Sequence, residues 1–100
     1  MVDALGIIET LGFTAGIQAA DTAVKSANIK LGKWVKVGGG RVSIIIRGDV
    51  AAVKAAVEAG VQAASNIGSV QSEVIIPRPS DKLILKFPLE PIMKEKAAAK

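Results

Sequence analysis

One hundred residues carry a net charge of +4, and half of them are hydrophobic while only three are aromatic. That is a single domain's worth of chain, whose core must be built from alanine, valine and isoleucine, side chains that bury little area each. No run reaches the ~18 apolar residues of a membrane helix, the opening MVDALGIIET lacks a signal-peptide pattern, and the absence of cysteine removes any disulfide framework or thiolate zinc site.

Leu5 to Thr10 reads as the opening strand. Phe13, Ile17, Ala20, Val24 and Ala27 then recur at helical spacing and predict one apolar helix face, with Asn28 as a left-handed stop. Ile29 to Val37 reads as a strand and Val42 to Arg47 as the next, with Val42, Ile44 and Ile46 on a common face. Asp49 predicts the N-cap of a second helix with a buried stripe of Val50, Val53, Val57, Val61 and Ala64, ended at Gly68. Val70 to Ile76 is the last strand, closed by PRP. This order predicts an α+β fold, a ferredoxin-like βαββαβ sandwich with the helices on one face of a largely antiparallel sheet.

Residues 1–80 read as the domain. Residues 81–100 read as an extension, partly flexible, in which Leu83, Leu85 and Phe87 pack and the stretch past Met93 is dispensable for stability. The mean hydropathy of +0.41 is high for so short a chain and points to subunit contacts that complete the burial.

The chemistry available is narrow. There is no histidine, cysteine or tyrosine, which removes the commonest general base, the thiolate nucleophile and the phenolic acid together. The serines have no imidazole to activate them, and the carboxylates show no metal-ligand spacing. No catalytic residue, metal or cofactor is expected. Ten lysines and three arginines are dispersed and few aromatics interleave them, so nucleic acid is not an expected partner. Trp34, alone, reads as a packing or interface residue.

The stretch KVGGGRVSIIIRGDV, Lys36 to Val50, places three glycines between two strands. A phosphate loop would run from a strand into a helix and carry Lys-Ser/Thr after the glycines. Neither condition is met. The simplest account is a tight hairpin whose glycines supply positive φ.

ALGIIETLGF, AADTAVKSAN, KVGGGRVSIIIRGDVAAVKAAVEAG and VIIPRP stand in the order and spacing of bacterial microcompartment shell proteins. The chain resembles the single-domain, hexamer-forming branch over residues 3 to 79; the tandem-domain trimeric members are about twice this length. The resemblance implies a flat cyclic hexamer that tiles edge to edge into the facets of a shell around cytoplasmic enzymes. Gly38, Gly39 and Gly40 would then line a pore on the six-fold axis, with Gly39 at its narrowest point. Lys36 and Arg41 would each form a ring of six charges favouring small polar or anionic metabolites. Lys25 of KSAN would lie along the hexamer edge against its two-fold partner, supported by Arg78 of PRP and with Asn28 nearby.

The implied partners are further copies of the chain, other shell proteins and the encapsulated enzymes; neither nucleic acid nor membrane is implied. Two positions depart from common family patterns: Ser80 stands where a histidine often follows PRP, and Arg41 follows the glycines, as in some carboxysome relatives. RGDVAAVKAAVEAG and VIIPRP lean towards catabolic compartments instead. The alternative from another class is a ferredoxin-like oligomeric regulatory domain that binds a small metabolite at a subunit cleft. Such a domain has no use for two edge motifs suited to lateral tiling.

Overall fold

The computed structural model describes residues 3–87. Its elements are β1 (Ala4–Leu11), α1 (Phe13–Ser26), β2 (Lys30–Leu31), β3 (Val35–Gly38), β4 (Arg41–Gly48), α2 (Val50–Ser65), β5 (Ser69–Ile76) and α3 (Asp81–Lys86). The sheet runs β2-β4-β1-β5, and β3 also pairs with β4. Every pairing is antiparallel. This is the expected α+β order, with one revision: the predicted strand from Ile29 to Val37 is two short strands along β4. Gly32 marks the break, and its N–H donates to the Ile45 carbonyl at 2.8 Å.

Strand alternation divides the molecule into layers. In β1 and β4, Ala4 and Ile8 join Val42, Ile44 and Ile46 in the core beneath α1 and α2. Leu5 and Ile45 point to the opposite face, where Ile7, Ile76, Leu83 and Ile84 pack against them. The two domain helices thus cover one face as expected, and α3, in the extension, covers part of the second. Ser80 explains how so short a helix starts: its Oγ accepts from the Leu83 N–H at 3.2 Å, an N-cap. Leu83 and Ile84 pack, whereas Leu85 and Phe87 are exposed, so the expected packing of Leu85 and Phe87 does not occur. The expectation about the stretch past Met93 lies outside the described residues.

The helices are joined by small residues. α1 buries Ala15, Gly16, Ala19 and Ala23, and α2 buries Val53, Ala56, Val57, Gly60 and Ala64. In α2, Val53, Val57 and Ala64 are buried as expected, but Val50 is exposed and Val61 only partly buried. In α1 only Ala20 and Ala27 of the predicted stripe pack against the core, both partly buried. Phe13, Ile17 and Val24 stand 51%, 47% and 45% exposed, because Gly16 and three alanines let the sheet and α2 approach the other side.

One predicted cap differs and the other serves by its backbone alone. Ala27 caps α1 in an extended conformation, and among the described residues none other than glycine has positive φ, so Asn28 is not a left-handed stop. Asp49 stands at the N-cap of α2, yet its side chain makes no capping hydrogen bond. Only its backbone carbonyl serves, accepting from Val53 N–H at 2.9 Å.

Close approach makes Gly60 sensitive. A Cβ there would sit 2.9 Å from Ile8 Cδ1 and 3.0 Å from the Ala19 carbonyl oxygen. The carbonyl belongs to the α1 backbone and cannot step aside as a side chain would. Gly60→Val is expected to destabilise the subunit by about 1–3 kcal/mol or more, read as a lower urea midpoint. An unchanged midpoint would show that α1 and α2 separate freely.

Candidate functional site

The glycine loop closes the β3–β4 hairpin, and its backbone explains its composition. Gly38, Gly39 and Gly40 have φ of 103°, 63° and 81°. Three successive residues on the positive side of φ exclude almost any side chain but hydrogen. The loop is also anchored, because the Gly12 N–H at the β1–α1 junction donates to the Gly40 carbonyl at 2.7 Å. A side chain at Gly39 would point into open space, with Arg41 Nη2 the nearest atom at 3.9 Å.

Beside the loop is a cleft of about 740 Å³ lined by Gly12, Phe13, Trp34, Lys36, Gly38, Gly40, Arg41 and Val42. Four of the five residues predicted for the loop site, all but Gly39, line this one cleft. Lys36 and Arg41 are exposed, and neither has a carboxylate partner among the described residues. Sequence reasoning missed the wall of the cleft. The Phe13 and Trp34 rings meet edge to face, with centroids 5.2 Å apart and planes at 61°, yet each is about half exposed. Twenty-one positions separate them in sequence, and neither sits in a motif that would announce the pair.

The residues predicted for the edge lie elsewhere. Lys25 occupies the last turn of α1, where a cation complements the helix dipole, and its Nζ is 3.0 Å from Asp21 Oδ2. Asn28 follows, exposed, with its carbonyl oxygen 3.6 Å from where a Cβ on Gly48 would be. Gly48 in turn lines a second cleft with Asp3, Ala4, Asp49, Val50, Pro77 and Arg78. Asn28 and Arg78 therefore gather around the Gly48 end of β4, and Lys25, in the last turn of α1, precedes Asn28 by three residues.

The two groups mark opposite ends of the subunit. Arg41 begins β4 and Gly48 ends it, seven residues later, a span of roughly 23 Å. α1 makes the same journey on the helical face, from Phe13 beside the loop to Lys25. Among the described residues no group of three histidine, cysteine, aspartate or glutamate side chains could hold a metal ion, and no helix is long and apolar enough to cross a membrane.

This arrangement can be set beside known proteins. The family model described as BMC domain matches residues 4–79. The bacterial microcompartment shell protein PduA of Citrobacter freundii is 56% identical over 77 residues, covering 77% of this chain and 83% of the relative. The carboxysome shell protein CcmK2 of Synechocystis sp. is 47% identical over 88 residues, covering 86% of this chain and 85% of the relative. A crystal structure of a microcompartment protein from Desulfitobacterium hafniense DCB matches with a TM-score of 0.78 at 41% identity over 85% of this chain. The chain spans 48% of that structure's length, about half. With a family model over three quarters of its residues and shell proteins as its relatives, the chain belongs to the BMC domain family of bacterial microcompartment shell proteins.

Proposed function

We propose that this structural protein forms flat cyclic hexamers that tile into shell facets, with six glycine loops around a central pore for small polar or anionic metabolites. The observation that carries the reading is the separation of the two residue groups to opposite ends of β4. A disc-shaped assembly needs one part of each subunit at its axis and another at its perimeter, and the loop and the KSAN–PRP end are so disposed. Glycine suits the axis because any side chain would be repeated six times in a narrow space. Lys36 and Arg41, without a carboxylate partner among the described residues, suit a lumen that concentrates anions, an effect that salt weakens. The shell wall is the place of action, and the partners beyond the chain itself are other shell proteins and the enclosed enzymes.

The exposed α1 stripe of Phe13, Ile17 and Val24, joined at Phe13 by Trp34, supports a lateral contact between subunits. It runs from the loop end towards the edge end, the direction in which neighbours in a ring would touch. Electron microscopy of the purified protein tests the whole reading: hexagonal sheets or tubes support it, and discrete small oligomers sink it. Ile17→Glu tests the stripe. It should leave the far-ultraviolet circular dichroism unchanged, since the side chain is half exposed, and reduce the mass by light scattering from six times 10.3 kDa towards one. An intact hexamer in this variant would remove the stripe from the interface.

A further inference from the structure

We propose that Thr10 is a positioning residue for the glycine loop: its buried hydroxyl holds Gly12, and Gly12 holds Gly40. The inference deepens the pore reading above and rests on it only for what the loop does, since the tie itself lies within one chain. The need for a tie comes from the hairpin. All four residues of β3 are exposed, and its register with β4 shifts between Lys36 and Gly38. Three successive glycines at positive φ give the turn little stiffness of its own. The loop is fastened to the β1–α1 junction by the 2.7 Å hydrogen bond from the Gly12 N–H to the Gly40 carbonyl.

Gly12 needs holding in its turn. Its φ is 98° and a Cβ there would meet nothing within 4 Å, so no side-chain packing aims its N–H. Thr10 supplies the restraint. Its side chain is fully buried, and its Oγ1 donates to the Gly12 carbonyl at 3.1 Å. That bond closes a ring over residues 10–12 and restricts the Leu11 and Gly12 dihedrals, which aim the N–H. A second donor to the same carbonyl, the Gly16 N–H, is longer, at 3.4 Å. Gly16 also makes room for the hydroxyl, because a Cβ on it would stand 3.2 Å from Thr10 Oγ1. A buried hydroxyl requires a partner, and here the partner is the residue that reaches the loop. Valine has the same branched shape and would fill the place, so the hydroxyl serves the Gly12 contact rather than the core.

The test takes wild type, Thr10→Val and Thr10→Ser as full chains and follows residue-resolved amide hydrogen exchange by NMR. Gly12 reports the tie. Gly32 and Val53, whose N–H groups donate to the Ile45 carbonyl at 2.8 Å and the Asp49 carbonyl at 2.9 Å, report the rest of the fold. In Thr10→Val the Gly12 amide should exchange at least about tenfold faster while Gly32 and Val53 keep their wild-type rates. Thr10→Ser retains the hydroxyl and should restore the Gly12 rate. An unchanged Gly12 rate in Thr10→Val overturns the inference. Equal acceleration of all three amides overturns it too, since that marks a general loss of stability. So does a serine variant that leaves Gly12 fast while Gly32 and Val53 are unmoved. Flux through assembled shells separates this inference from the pore reading. A loop released at Gly40 should discriminate less between a small and a bulky neutral solute, in Thr10→Val but not in Thr10→Ser. Faster Gly12 exchange with wild-type discrimination keeps Thr10 as the anchor of the loop and overturns the loop's part in passage.

Discussion

Lys25→Ala, alone or with Arg78→Ala, should abolish extended sheets while leaving hexamers intact. In the isolated subunit the lysine contributes almost nothing: its pair with Asp21 is solvent-exposed, and such pairs are worth about 0.5 kcal/mol. The fold therefore does not notice its loss. Between subunits the account changes, because a two-fold contact contains every residue twice and closes water out. Truncating one partner of a buried, hydrogen-bonded charged pair costs about 2–5 kcal/mol. In the proposed hexamer such an edge recurs on every side, so the loss would be multiplied over the lattice and tiling would end rather than weaken. Arg78, in the cleft beside Gly48, should add to the effect. Size-exclusion chromatography gives the hexamer and negative-stain microscopy the sheet. Normal tiling, or collapse to monomers, would contradict the placement of these residues at the edge.

The same distinction between subunit and assembly decides what was legible in the sequence. β4 was readable residue by residue, because Val42, Ile44 and Ile46 alternate as a strand with one face in its own core must. α1 was not. Its strongest apolar periodicity, Phe13, Ile17 and Val24, marks the face left exposed, while the face it buries consists of glycine and alanine, which carry little hydrophobic signal. Periodicity reports that a face is to be covered without saying whether the same chain covers it.

Of the two caps, Asp49 stands at the N-cap of α2 as expected, and the left-handed stop at Asn28 does not form. Asn28 and Asp49 have the right chemistry in the right places, but Ala27 leaves α1 in extended backbone and the Asp49 side chain makes no capping hydrogen bond. α3 was too short for any period to register, so Leu83, Leu85 and Phe87 suggested alternation where Leu83 and Ile84 in fact pack. Of the candidate site, the loop and edge residues came from motif order. The Phe13–Trp34 pair came only from three dimensions.

Gly39→Leu should slow the passage of polar solutes through assembled shells without preventing assembly. The loop backbone sets the conditions. At φ of 63° Gly39 occupies the left-handed region, where a non-glycine residue costs about 1–2 kcal/mol. Among the described residues nothing obstructs the new side chain, since Arg41 Nη2 at 3.9 Å is the nearest atom. The substitution is thus strained but not blocked, and its bulk goes outward, six copies of it into the proposed lumen. Gly39→Asn separates strain from bulk, because asparagine visits this region more readily than leucine does and keeps the lumen polar. Arg41→Ala should act in another way, removing the proposed ring of positive charge while leaving the proposed opening as wide or wider. Its effect is a loss of preference for anions and of the salt dependence that accompanies it. Flux of a charged and a neutral metabolite of similar size, measured at two ionic strengths, distinguishes the cases: Gly39→Leu lowers both fluxes at both, and Arg41→Ala lowers the ratio of anion to neutral at low salt alone. Equal flux through wild-type and both variant shells would mean that solutes cross elsewhere and that the three glycines do no more than turn the chain.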